Sequence, residues 1–259
     1  MCLVLIAYHA HPDYALLVAA NRDEFHDRPT APLAFWDDSP QVLAGRDLKE
    51  GGAWMGFARP GRFAALTNYR DPGHVLLDAP SRGYLVRDYL QDVEPAHDYL
   101  DRLMPRATAY NGFNLLLGDE TGLYYYSNRA GGVQALTPGV YGLSNHLLDT
   151  PWPKLASAKA AFAEALAGLP ASSPFFELLA DQEIVPDSHL PETGVPLAWE
   201  RILSAVFVRS ESYGTRASTL LTMRRDGQTS LLERSFDSDA RLVGQVGETF
   251  QSSLISTGV

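Results

Sequence analysis

In a 259-residue chain that opens MCLVLIAYHA, the only cysteine is the second residue. A small second residue permits an aminopeptidase to remove Met1, and Cys2 would then carry a thiol and a free α-amine together. A thiolate is a strong nucleophile, and an α-amine with a pKa of about 8 can accept and return its proton at neutral pH. Read only as packing, the same cysteine is a small hydrophobe at the head of an apolar strand. Just past the second apolar run stand Asn21, Arg22, Asp23 and Glu24. Four polar side chains at a strand end are costly to bury unless they pair. If the first two strands form a hairpin, this end lies near Cys2. An arginine there favours the thiolate, and a carboxylate there can hold the freed amine. The plain alternative is a surface salt-bridge cluster closing a turn.

Further marks are spread along the chain. Asn68 ends a strand in RFAALTNYRD, Asn111 and Asn114 flank Gly112 in YNGFN, and Asn145 ends a strand in YGLSNH. Arg216 falls early in a late strand, in YGTRAST. Amide side chains donate hydrogen bonds without carrying charge, which suits an oxyanion hole. Taken singly, each is an ordinary turn or cap residue.

The elements that must position these residues are mostly strands. Leu3–Tyr8 and Tyr14–Asn21 read as a hairpin turned at Pro12-Asp13, with apolar runs continuous enough to be covered on both faces. Further strands are expected at Ala53–Ala58, Arg62–Tyr69, Phe113–Asp119, Gly122–Asn128, Val140–Asn145, Arg216–Arg224 and Thr229–Phe236. The turns Glu-Thr-Gly and Arg-Asp-Gly join antiparallel neighbours. Helices are expected at Ser81–Asp92, Pro95–Leu103, Phe175–Leu179 and Leu197–Ala205. Another, capped by Thr150 with Pro151 at its first position, should run to Ala167 with Leu155, Ala158, Phe162 and Leu166 as its apolar stripe. Arg28–Gly51 and Asp181–Pro196 read as loops, the stretch Thr30–Gly51 being long enough for a lid. No boundary or repeat divides this pattern, so the expectation is one α+β domain over residues 1–259 with antiparallel sheets covered by helices.

Composition narrows the function. A formal charge of −10 and a pI near 5.1 argue against a nucleic-acid partner. One cysteine forms no internal disulfide. The first residues lack the basic start of a secretion signal, and no apolar run approaches the ~18 residues of a membrane span. A soluble, cytoplasmic protein is the expectation. Neither the nucleotide-binding glycine patterns nor HExxH or GxSxG occur, and seven histidines with one cysteine offer no zinc spacing.

Jointly, MCLVLIA, AANRDEFHDRPTAP, LAGRDLKEGGAWMG, GRFAALTNYRDP, YNGFNLLLGD, PGVYGLSNHLLDTPWPK and YGTRAST resemble the NRDE family, relatives of the transport and Golgi organization 2 proteins. More distantly the arrangement is similar to cysteine-type N-terminal nucleophile hydrolases such as penicillin V acylase and bile salt hydrolase. The resemblance implies a four-layer αββα sandwich and a hydrolase acting on an amide or acyl thioester, with no cofactor. It implies that Cys2 is the nucleophile, with Arg22 and Asp23 corresponding loosely to an arginine and aspartate that the hydrolases space as Arg-x-x-Asp. By the same token Asn68 and Asn145 would be catalytic amides and Arg216 the late arginine beside the nucleophile. Asn21, Glu24, Asn111 and Asn114 would contact a small-molecule substrate. A second implication is of another kind: haem trafficking without turnover, with His9, His11 and His146 as candidate ligands beside the Cys2 thiolate. Neither implication fixes an oligomeric state.

Overall fold

Alternation along the first strand, β1 (Cys2–Tyr8), sets the layers. Successive side chains of a strand point to opposite faces. Cys2, Val4, Ile6 and Tyr8 enter one core with Leu43, Phe57, Phe63 and Leu116, while Leu3, Leu5 and Ala7 pack with Leu155, Phe162 and Phe175. Both faces of β1 are therefore covered, which explains its unbroken apolar run. The computed structural model describes residues 2–257; Met1, on which the expectation of a processed N-terminus falls, and the last two residues lie outside them.

β1 belongs to a six-stranded antiparallel sheet. Its neighbours are β2 (Tyr14–Phe25) and β10 (Gly139–Leu143), and beyond β2 follow β11 (Tyr213–Arg224), β12 (Gln228–Phe236) and β13 (Leu242–Gln251). The facing sheet has seven strands in chain order: β3 (Thr30–Trp36), β4 (Ser39–Asp47), β5 (Met55–Ala58), β6 (Arg62–Asn68), β7 (Phe113–Asp119), β8 (Gly122–Ser127) and β9 (Gln134–Ala135). Helices close the outer faces. α1 (Gly83–Gln91) and α2 (Ala96–Leu103) bury Leu85, Tyr89 and Leu100 against the seven-stranded sheet. α3 (Pro153–Ala165) and α4 (Ser173–Leu179) cover the other, with the stripe Leu155, Ala158, Phe162 and Leu166 buried as its spacing predicts. A short α5 (Leu197–Ile202) lies near the end of β11 through the Trp199–Tyr213 ring contact. The four layers αββα are present.

Three expectations are corrected. The stretch Thr30–Gly51 is no lid: most of it is the hairpin β3–β4. Pro32 disguises it, standing in a register shift between Ala31 and Ala34 on an edge strand, where a missing N–H is tolerated. β13 was not anticipated, because Gly244 and Gly247 and its largely exposed side chains break the strand pattern. The α3 helix begins at Pro153 after Trp152 in extended backbone, not at Pro151. A residue preceding proline is steered away from helical backbone, so Trp152 cannot continue a helix begun one residue earlier. Thr150 instead meets Nδ1 of His146 through its hydroxyl at 2.9 Å.

Candidate functional site

The pairing of β1 with β2 places Cys2 directly opposite Arg22. Opposed residues of an antiparallel pair point to the same face, so the thiol and the guanidinium share the space between the sheets. Alternation then divides the NRDE run. Asn21 turns to the helix side, where its amide donates to the carbonyls of Leu179 and Val206 at 2.8 and 3.0 Å and accepts from Ser218 at 2.6 Å. That side chain is wholly buried and does not reach a substrate. Glu24 stands with Arg22 at the strand end, their charged atoms 4.0 Å apart. Asp23 is buried, accepting a 2.7 Å bond from the Thr215 hydroxyl.

Cys2, Arg22, Asp23 and Glu24 open on a cavity of about 260 Å³. The facing sheet and its loops supply the opposite wall: Arg28, Thr30, Arg46, Asp47, Asn68, Arg82 and Asn111. Two glycines make that wall close-fitting. A Cβ on Gly52 would come within 2.6 Å of the Gly83 backbone, so the approach of α1 to the strand-linking turn demands glycine at 52.

Charge in the site is set by burial. Burial pushes the Cys2 thiol above its ordinary pKa, while the positive charge of Arg22 and the Asp23 backbone N–H draw it down. Arg22 thus acts in the direction expected of it, but desolvation outweighs it. Burial likewise raises the Asp23 carboxyl. Behind Asp23, Lys154 is buried and its pKa falls to about 8 through desolvation, its ammonium donating to the Leu203 carbonyl at 2.7 Å.

The remaining sequence-predicted residues separate by role. The Asn68 amide lines the cavity and makes no hydrogen bond among the described residues. Asn145 is not at the cavity; its amide donates to the Asn68 carbonyl at 3.0 Å, so it fixes the strand end that carries Asn68. Asn111 lines the rim, with its amide clasping both backbone groups of Leu76 at 2.8 and 2.9 Å. Asn114 is buried away from the cavity, bonded to Thr67, His146 and Tyr125. Arg216 is the extra residue at a register shift between Thr215 and Ala217, and its guanidinium donates to the carbonyls of Phe25, His26 and Arg28. The bulge turns it toward the chain after β2, which it braces, and away from the cavity lining.

Sequence reasoning missed Arg82 and the acidic and basic residues of β4. Arg46 and Asp47 were inside the LAGRDLKEGG motif and could have been named from it. Arg82 had no comparable signal: it precedes an amphipathic helix and reads as a solvent-facing cap.

The histidines do not assemble. His9, at the far end of β1 from Cys2, has Nε2 at 3.0 Å from the Ile255 carbonyl and Nδ1 at 3.0 Å from Arg225. His11 accepts from the Asp13 backbone at 3.1 Å, and His146 is held between Tyr69 and Thr150. Seven residue steps along the strand separate Cys2 from His9, about 23 Å at ~3.3 Å each. These residues do not fit a haem ligand set with Cys2. Among the described residues no group of three or more His, Cys, Asp or Glu could hold a metal ion.

Fold and site together define an αββα sandwich with a cysteine, second in sequence, on a charged cavity between its sheets. The family is equally plain: residues 1–238 match the model for Transport and Golgi organisation 2, and the chain belongs to that family. It is 39% identical over 258 residues to the Transport and Golgi organization protein 2 homolog of Bos taurus, covering 91% of this chain and 93% of that protein. The Homo sapiens homolog is 36% identical over the same shares, and the Drosophila melanogaster protein 28% over 91% and 92%. Among solved structures, the chain is similar to a mutant of conjugated bile acid hydrolase from Clostridium perfringens, with TM-score 0.48, 11% identity and 99% and 98% coverage. A Caenorhabditis elegans ortholog of N-acylethanolamine-hydrolyzing acid amidase gives TM-score 0.46, 13% identity and 85% and 92% coverage. Among the described residues no helix is long and apolar enough to cross a membrane.

Proposed function

We propose that this protein is a hydrolase whose nucleophile is the thiol of an N-terminal Cys2, acting on the amide or acyl-thioester bond of a small molecule. One observation carries the reading: Cys2 shares a polar cavity with Arg22, opposite it in register, and with the Asn68 amide, which is unengaged among the described residues. Removal of Met1 frees the α-amine. That amine takes the thiol proton as sulfur attacks the carbonyl carbon. The electron pair moves to the carbonyl oxygen, where Asn68 donates a hydrogen bond. Collapse expels the amine or thiol with the returned proton; water then gives a proton to the α-amine and attacks the acyl carbon, and the C–S bond breaks to release the acid and restore the thiol with that proton. Asp23 and Arg22 set the charge around the sulfur, and Asn145 holds Asn68 in place. A reducing compartment such as the cytoplasm keeps the thiol free.

The test has two parts. Mass spectrometry of the purified protein should show Met1 absent. Incubation with a panel of N-acyl amides and acyl thioesters should release product from wild type but not from Cys2→Ala. Retention of Met1, or equal rates in both proteins, overturns the reading.

A further inference from the structure

Four arginines line the cavity, and they differ in what neutralises them. Arg28 lies 2.5 Å from an Asp47 carboxylate oxygen, and Arg46 makes a two-pronged contact with Asp38 at 2.9 and 2.7 Å. Those two charges are matched within the fold. Among the described residues the Arg22 side chain has one hydrogen bond, to the Thr30 hydroxyl at 3.2 Å, and its carboxylate neighbour Glu24 stands 4.0 Å away. Arg82 has less still: its single hydrogen bond runs to the Gly112 carbonyl at 2.8 Å, and it forms no ion pair among the described residues.

A guanidinium has five N–H donors, and drawing one out of water without a carboxylate is unfavourable unless something completes it. Burial accordingly depresses the Arg82 pKa. Elsewhere the fold meets a buried arginine more fully, with a carboxylate for its charge or carbonyls for its donors: Arg70 is paired with Glu200 at 2.6 Å, and Arg62 donates three bonds to the Tyr89 and Glu94 carbonyls. Arg82 lies on the cavity wall with no carboxylate in contact among the described residues, the Glu24 carboxylate acting on it only from beyond ion-pair distance. There the positive end of α1 also arrives, with Gly83 in the lining and no acidic side chain in the first helical turn.

We propose that Arg82, together with Arg22, binds an anionic group of the ligand, a carboxylate or a phosphate, close to the carbonyl that Cys2 attacks. This deepens the hydrolase reading and rests on it for the position of the carbonyl, but the binding itself requires no turnover. Neutral amides and esters are then poor ligands. Arg82 is a specificity residue rather than part of the bond-breaking machinery.

Binding measured by calorimetry on Cys2→Ala, which cannot turn over, separates this inference from hydrolysis. Three probes share one amide and one short acyl chain: N-hexanoylglycine, N-hexanoyl-O-phosphoethanolamine and the neutral N-hexanoylethanolamine. At least one anion should bind about tenfold more tightly than the neutral probe, and whichever anion does so identifies the group. Adding Arg82→Gln should shrink that preference to within about twofold while leaving the neutral probe and the melting temperature unchanged. Arg82→Lys, which keeps the charge but loses the fork, should retain part of it. Raising salt from about 0.05 to 0.5 M should narrow the preference in the parent protein. Equal binding of all three probes, no binding of any, or a preference that survives Arg82→Gln overturns the proposal. If Arg82→Gln does not fold, an Arg82→Lys protein with an undiminished two-pronged preference for the carboxylate also overturns it. Hydrolysis could fail while this preference stands, and the preference could fail while hydrolysis stands.

Discussion

The two ends of β1 are built to opposite specifications. At the Tyr8 end the polar side chains of Tyr8 and His9 are answered: the tyrosine hydroxyl donates to the Ser256 carbonyl, His9 meets the Ile255 carbonyl and Arg225, and the wholly buried Ile255 plugs the gap between the sheets. At the Cys2 end the same inter-sheet space is left as a cavity with a thiol, an unengaged amide and two incompletely paired arginines. One strand thus carries a sealed terminus and an open one. The difference teaches that the missing partners around Cys2 are not a general looseness of this fold, which closes its other end with the chain's own C-terminal segment.

If the open end alone does chemistry, substitutions at the two ends should have separable effects. The largest belongs to Cys2→Ala, which should lower kcat/KM on any hydrolysed substrate by about 10³-fold or more with the melting temperature little changed. Asn68→Ala should follow, with kcat down by about 100-fold, the usual consequence of losing one oxyanion donor. At the closed end, Ile255→Ala should lower unfolding free energy by about 3 kcal/mol in denaturant titrations, with kcat/KM per folded molecule unchanged. Large activity loss there would erase the distinction.

Smaller effects sharpen it. The thiolate is the reactive form and burial raises the Cys2 pKa, so kcat/KM should keep rising with pH through the ordinary thiol range. Arg22→Gln removes a charge that draws this pKa down, and should move the rise to still higher pH. Lys154 titrates near pH 8 in the fold and near 10.5 unfolded, so between these values the unfolded chain binds more protons and stability rises with pH. The melting temperature of wild type relative to Lys154→Met should therefore be more favourable at pH 10 than at pH 7. A pH-independent difference would show that Lys154 is not titrating behind Asp23.

Much of this was legible because apolar periodicity and turn chemistry are local. The β1–β2 hairpin, the α3 stripe and the approach of Arg22 to Cys2 all follow from short stretches. The β3–β4 hairpin and β13 were hidden because edge strands tolerate proline, glycine and exposed polar residues that a central strand does not. The roles within the candidate site divide along the same line. Motif membership brought Asn145 and Arg216 into view, yet only the three-dimensional hydrogen bonds reveal that one holds the Asn68 backbone and the other a turn. Arg82 was invisible for the converse reason: its meaning comes from the lack of a direct ion pair among the described residues, which no spacing rule records.

The alternation of β2 also limits how this region can change by insertion or deletion. Loss of a single residue from Leu16–Ala20 would exchange the strand's two faces, presenting Asn21 to the cavity and driving the Arg22 charge into the apolar layer under α4. Length variation in relatives with the same activity should therefore fall in the turn between β1 and β2, where a changed residue count leaves the phase of the strand intact.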